Sequence, residues 1–264
     1  MRRSTLSHLS RDDQVVQKNW FEQGGQRYAR FRPGYPPALA AYLASLCGRR
    51  RLAVDVGCGT GQLTAQLAAH FDEALGLDPS ADHVANARTA ERVRYEVSPA
   101  ERLPLPAASV DLLTAAQAAH WFDLPAFYAE AGRVAAPCAL LALVSYGVPR
   151  LDAALGVRFQ HFYRDEIGPY WPPERRHVDA GYADIDFPFE ELAPPAMEIR
   201  RDWTLSQFLG YVSTWSAVRN AQLAGADGIL QRFAADLGDL WQGKDPRTIT
   251  WPLNMRLGRI ESGV

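Results

Sequence analysis

Lysine is almost missing from this chain: Lys18 and Lys244 are the only two among 28 basic residues. The arginines that stand in for it are scattered rather than clustered, and the formal net charge is −2. A broad basic footprint for nucleic acid is therefore excluded. Cysteine is scarce as well. Cys47, Cys58 and Cys138 are odd in number and far apart, without any C-x-x-C spacing. That argues against a disulfide framework and against structural zinc, and it fits a reducing, cytoplasmic compartment. Long apolar runs are absent, so no segment reads as a membrane span. The basic start, Met1 to Thr5, has no apolar stretch behind it of the kind a secretory signal needs. Repeats and low-complexity tracts are absent too. What remains is ordinary globular usage, 47% hydrophobic and 22% charged, in a chain of 264 residues that can bury a core without staples.

The pattern along the chain alternates. Residues 1–20 read as a flexible tail, and Pro36-Pro37 can open a helix over 38–46, because a proline N–H would be unpaired there anyway. Short apolar runs at 52–56, 74–77, 93–97, 110–115 and 140–145 read as strands. Helical stretches at 61–71, 81–89 and 124–134 fall between them. Strands alternating with helices imply right-handed crossovers and a parallel sheet covered on both faces. Past Tyr146 aromatic residues thicken; strands are expected at 197–203 and 247–257, with helices over 205–223 and 226–241 between them.

The first strand, Leu52-Ala53-Val54-Asp55-Val56, runs straight into Gly57-Cys58-Gly59-Thr60-Gly61-Gln62. Strand, tight glycine turn and helix N-terminus together are the context of a nucleotide-binding loop. Asp78 ends the second strand, where a carboxylate can accept hydrogen bonds from both ribose hydroxyls. Asp55 sits two residues before the loop. It would repel a pyrophosphate but suits a ligand with an ammonium group, and Gln62 stands where the dinucleotide fingerprint has its third glycine. A nucleoside with a cationic amino-acid end, S-adenosylmethionine, fits these residues better than NAD.

These motifs, with Gly76-Leu77-Asp78-Pro79-Ser80, Ala100-Glu101-Arg102-Leu103-Pro104 and Ser109-Val110-Asp111-Leu112-Leu113, resemble class I S-adenosylmethionine-dependent methyltransferases. The narrower resemblance is to the trans-aconitate methyltransferase-like group, through Gln117-Ala118-Ala119-His120-Trp121-Phe122-Asp123 and the tail segments Pro188-Phe189, Thr214 to Ala217 and Trp251-Pro252-Leu253. It implies a Rossmann-like α/β fold: a mostly parallel seven-stranded sheet with helices on both faces and a helical, aromatic-rich cap. The implied layout is a cofactor-binding core over 21–150, with cap helices and the last strands over 151–264. Carried over, Asp55, Gly57, Cys58, Gly59 and Gly61 face the methionine end and Asp78 holds the ribose. Pro79, Ala100 and Glu101 lie by the adenine, and Gln117 belongs to the same cofactor set. Pro99 stands where many members carry an acid for the adenine amino group, and the turn before the fifth strand reads Ala135-Ala136-Pro137-Cys138 instead of carrying glycine.

Methyl transfer is an in-line displacement that needs positioning and exclusion of water; no metal is required in principle. An ionised carboxylate acceptor needs no base, whereas a phenol does. His120, with Asp123 as its partner, is the candidate base, although packing of His120 and Trp121 around the cofactor accounts for it slightly better. Tyr28, Arg32, Trp121 and Trp215 are candidates for the substrate side. The expected activity is methylation of a small molecule at a carboxylate or phenol oxygen, with S-adenosylhomocysteine as by-product and neither nucleic acid nor membrane as partner. The alternatives are a cofactor-binding but catalytically silent partner protein and a nicotinamide-dependent oxidoreductase. Nothing in the sequence fixes the oligomeric state.

Overall fold

The computed structural model describes residues 31–243 and 245–261. The expected N-terminal tail and Tyr28 lie outside the described residues. Five parallel strands form the heart of the fold: β1 (Leu52–Val56), β2 (Glu73–Asp78), β3 (Val93–Val97), β4 (Val110–Ala116) and β5 (Ala135–Tyr146). They stand in the order β3-β2-β1-β4-β5. Beyond β5 lies the long antiparallel β8 (Arg247–Arg259). The two-residue β6 (Glu190–Glu191) and the longer β7 (Met197–Trp203) share the far edge of β8, each pairing with a different part of it. Among the described residues eight strands therefore occupy seven positions across the sheet.

The strands divide their side chains with period two between two apolar layers. Val54, Val56, Leu75, Leu77, Leu113 and Leu143 face one layer, against Phe127, Ala131 and Val134 of helix α4 (Leu124–Val134). Those three recur at the spacing of one helix face, and Asp123 caps the helix by accepting from the Ala126 N–H at 3.3 Å. Ala53, Ala74, Leu112, Leu140 and Val144 face the other layer, against Leu39 and Leu43 of α1 (Pro37–Leu46). That layer continues without a break into the aromatic region: α7 (Leu205–Val212), α8 (Ser216–Leu223) and α9 (Gly228–Trp241), whose Ile229, Phe233, Leu237 and Trp241 form one buried stripe. Phe162 and Phe233 stack there with centroids 3.8 Å apart.

Two expected helices are shorter than the sequence implies. Over 61–71 only α2 (Thr64–Leu67) is helical, although Leu63, Leu67 and Phe71 are all buried as expected. The glycine turn consumes the first residues, and Phe71 is reached through turns rather than a continued helix. Over 81–89 only α3 (Ala81–Ala85) forms, capped by Ser80. The stretch 205–223 is two helices, because the chain turns at Ser213-Thr214 and restarts after Trp215. Among the described residues no helix is long and apolar enough to cross a membrane.

Candidate active site

The C-terminal ends of β1, β2 and β4 converge on one cavity, the place where ligands bind in open α/β sheets. Gly57, Gly59 and Gly61 all have positive φ (68°, 56° and 76°). Two of them are also required by close approach. A Cβ on Gly57 would collide with Ala118, and one on Gly61 with the Tyr95 hydroxyl. Tyr95 of β3 lies across the back of the loop and leaves no room for a side chain at Gly76 either. The loop is tied to β2 by the Cys58 N–H, which donates to the Leu77 carbonyl at 2.9 Å. Cys58 itself lines the cavity, its thiol held protonated by burial and by the charges of Asp55 and Asp78.

Asp78 fixes the loop from the other side. Its Oδ2 accepts from the Gly59 N–H at 2.8 Å; Oδ1 accepts from the Ser80 N–H at 2.9 Å and lies 3.2 Å from His83 Nδ1. Oδ2 can take a further donor, and the group borders the cavity beside Pro79 and His83. Asp55 is 1% exposed and accepts from two hydroxyls, Thr64 Oγ1 at 2.7 Å and Thr114 Oγ1 at 2.8 Å. Burial pushes its pKa up to about 6, against the pull of those hydroxyls.

Gln117 follows β4 with φ of 60° and lines the cavity. Its side-chain amide imitates a strand residue: Oε1 accepts from the Tyr146 N–H at 3.1 Å and Nε2 donates to the Tyr146 carbonyl at 3.3 Å. Arg32 enters the same wall, with Nη1 donating to Tyr146 Oη at 2.8 Å and Nη2 to the Thr214 carbonyl at 3.3 Å. Trp121 and Phe122 complete that side.

Of the residues singled out in the sequence, Asp55, Gly57, Cys58, Gly59, Asp78, Pro79, Gln117, Arg32 and Trp121 are brought to this one cavity. The other described ones are not in its wall. Gly61 stands just behind, beneath Tyr95. Ala100 packs in the α4-side layer, and Glu101 Oε1 accepts from the Asp123 N–H at 2.9 Å. His120 turns away toward Tyr182, whose hydroxyl lies 2.9 Å from Nδ1, while Asp123 is occupied as a helix cap. Burial, then the positive charges of Arg175, His177 and Arg32, lower the His120 pKa to about 3. Trp215 is packed among Phe159, Tyr163, Trp171 and Tyr211. Sequence reading missed Tyr35, Gln62, His83 and Tyr146 as lining residues. For Gln62 the signal was present, since it directly follows the third glycine of the loop.

The Gln62 amide is also where the site's fit to a ligand can be tested. Its Nε2 is buried, borders the cavity and has no hydrogen-bond partner among the described residues. An unpaired buried donor is costly. With a glycine cradle open to close approach and two carboxylates at the strand ends, it suits a nucleoside with an amino-acid end. Among the described residues no cluster of potential ligands could hold a metal ion.

A parallel sheet with this strand order, a glycine loop after β1 and an acid ending β2 defines a Rossmann-like methyltransferase of class I. A family model described as a methyltransferase domain matches residues 54–143. A Dictyostelium discoideum protein named as a methyltransferase is 34% identical over 89% of this chain and 92% of its own. The solved structure of an Anaeromyxobacter dehalogenans protein named as a type II methyltransferase superposes with a TM-score of 0.81 at 43% identity, covering 88% of this chain and 100% of that one. The trans-aconitate 2-methyltransferase of Deinococcus radiodurans is 39% identical over a shorter stretch, 34% of this chain and 36% of its own. The chain belongs to the S-adenosylmethionine-dependent methyltransferases.

Proposed function

We propose that this enzyme methylates a small molecule at a carboxylate oxygen. The observation that carries the reading is a guanidinium, that of Arg32, in the wall of the cavity that the glycine loop and Asp78 also form. Tyr146 Oη and the Thr214 carbonyl hold that guanidinium in place, so it is positioned before any acceptor arrives. A planar cation of this kind matches a carboxylate in geometry as well as charge. The partial match to an enzyme named for trans-aconitate supports the same acceptor chemistry.

His120 weighs against a phenol. A ring that holds a proton only below about pH 3 is a poor acceptor for one leaving a phenol near pH 10. A carboxylate is already ionised and moves no proton. S-Adenosylmethionine supplies an activated methyl group whose carbon–sulfur bond breaks toward sulfur as the acceptor oxygen bonds to carbon. The chain's own residues do the positioning. Asp55 offers negative charge to the ammonium, Gln62 Nε2 donates to the methionine carboxylate, and Asp78 accepts from the ribose hydroxyls beside Pro79. Arg32 orients the acceptor, and Trp121 and Phe122 keep water from it.

Calorimetric titration with S-adenosylmethionine, S-adenosylhomocysteine and NAD tests the cofactor; binding of the two sulfur nucleosides without NAD is expected. Incubation with S-adenosylmethionine and a panel of carboxylic acids, phenols and amines, read by mass spectrometry, tests the acceptor. A methylated product that dilute alkali hydrolyses back to the acid is expected. A product stable to alkali would be an ether or an amine and would overturn the carboxylate reading. Binding without turnover on any acid would favour a silent partner protein.

A further inference from the structure

One side chain in the cavity wall keeps an unspent hydrogen-bond donor. Tyr146 ends β5, is 3% exposed and borders the cavity. Its hydroxyl lies 2.8 Å from Arg32 Nη1. A guanidinium has no lone pair to offer, so Arg32 donates and Tyr146 Oη accepts. The hydroxyl's own hydrogen is still to be spent, and among the described residues no acceptor takes it. A buried tyrosine hydroxyl normally finds one. Tyr128 and Tyr163 give theirs to the Asp186 carbonyl at 2.6 Å and to Asp179 Oδ1 at 2.7 Å. Tyr211 also only accepts, from Trp251 Nε1, but it stands outside the cavity wall.

The fold holds Tyr146 from three sides. The Gln117 amide brackets its backbone, at 3.1 Å from the N–H and 3.3 Å from the carbonyl. Its ring meets that of Tyr35 with centroids 6.2 Å apart, and its oxygen is tied to Arg32. Gln117, Tyr35 and Arg32 all border the same cavity. Backbone, ring and oxygen are thus fixed before any ligand enters, and the hydroxyl hydrogen is the part left to turn toward one. It does so beside the guanidinium proposed to meet the acceptor.

We propose that Tyr146 donates this hydrogen to the carboxylate oxygen of the acceptor that is not methylated, and so selects acceptors that carry two oxygens. This rests on the carboxylate methyltransferase reading and adds to it the residue that chooses between an acid and a phenol. In the transfer one carboxylate oxygen bonds to the methyl carbon, while the carbon–sulfur bond breaks with its electron pair going to sulfur. The other oxygen becomes the ester carbonyl, which still accepts from Tyr146, and no proton moves. A phenolate has a single oxygen. A hydrogen bond from Tyr146 would then fall on the atom that must attack. That bond is stronger before the transfer than during it, because the oxygen loses its charge, so it slows the reaction.

The test gives the full-length enzyme S-adenosylmethionine and either benzoate or 4-nitrophenol, a phenol that ionises near neutral pH without a base, and reads products by mass spectrometry. The parent should favour benzoate. Tyr146→Phe keeps the ring and removes one oxygen. It should lower kcat/KM for benzoate by about ten-fold or more, the range of a hydrogen bond to a charged group, chiefly through KM. Turnover of 4-nitrophenol should not fall, and S-adenosylhomocysteine affinity should not change. Repeating the exchange in an Arg32→Met background separates donation from support of the guanidinium, and the loss on benzoate should persist there. A loss that vanishes without Arg32 would overturn the proposal, because Tyr146 would then act only by holding that side chain. So would an unchanged kcat/KM for benzoate in Tyr146→Phe. A parent that methylates acids but does not favour benzoate over 4-nitrophenol would overturn it too, whether or not the variant folds. A parent that binds S-adenosylhomocysteine and methylates no acid at all would instead overturn the carboxylate reading beneath it.

Discussion

At the scale of single residues, Asp55 carries the sharpest consequence. It is buried at the end of β1 with two threonine hydroxyls for company and no cation hydrogen-bonded to it among the described residues. Burial raises its folded-state pKa from an ordinary 3.8 to about 6. Between those values the folded protein binds a proton that the unfolded chain has released. The stability this group contributes is therefore complete below pH 3.8 and lost as pH rises through about 6, a cost of about 3 kcal/mol at 1.36 kcal/mol per unit. Asp55→Asn should make the ligand-free protein more resistant to heat at pH 8 and flatten its melting profile between pH 4 and 6. It should at the same time weaken S-adenosylmethionine binding, because the charge proposed to face the ammonium is gone. Coincident profiles for parent and variant across that window would remove Asp55 from this role. The acid costs the ligand-free fold stability, and the proposed cationic ligand accounts for its presence.

At the scale of elements, strands were easier to read than helices, for a physical reason. A strand buried on both faces is a continuous apolar run, and β1, β3 and β7 stand where such runs or alternations placed them. Helices α2 and α3 fell short because the glycine turn before one and the Asp78-to-Ser80 cap before the other are set by tertiary contacts that periodicity does not carry. The same limit applies to the site. The loop glycines and both aspartates were legible because their chemistry and spacing are local. The orientation of His120 depends on Tyr182, 62 residues further on, and Gln117 and Arg32 find Tyr146 across the fold. The turn expected over 135–138 proves to be the irregular start of β5, where its pairing with β4 slips between Ala135 and Leu140. Cys138, where a glycine is usual, has φ of 64° and is exposed. Cys138→Gly should raise stability in urea or heat by up to about 1 kcal/mol, the strain of a left-handed non-glycine residue, less what the freer unfolded glycine gives back. Cofactor affinity should not change, because Tyr146, at the other end of β5, is the residue that borders the cavity. A fall in stability would mean that the Cys138 side chain contributes more than its backbone costs.

At the scale of the whole molecule, the question is whether the aromatic region is a separate cap or part of one body. The apolar layer that begins at Leu39 and Leu43 crosses the sheet through Leu140 and Val144 and ends in Phe233, Leu237 and Trp241 without interruption. Strand β8, from the last stretch of the described chain, lies between β5 and β7, so the sheet cannot close until the helices before it have folded back. One cooperative transition is expected from that continuity. The tryptophans make it measurable, because five of the seven, Trp171, Trp203, Trp215, Trp241 and Trp251, belong to the later half of the chain, whereas the parallel strands belong to the earlier half. Tryptophan fluorescence and far-ultraviolet circular dichroism should therefore melt at the same temperature. Both should shift upward together by several degrees when S-adenosylhomocysteine is present at about a hundred times its Kd, where linkage adds about 2.7 kcal/mol. An earlier fluorescence transition, unmoved by the nucleoside, would show a cap that folds apart from the cofactor cavity.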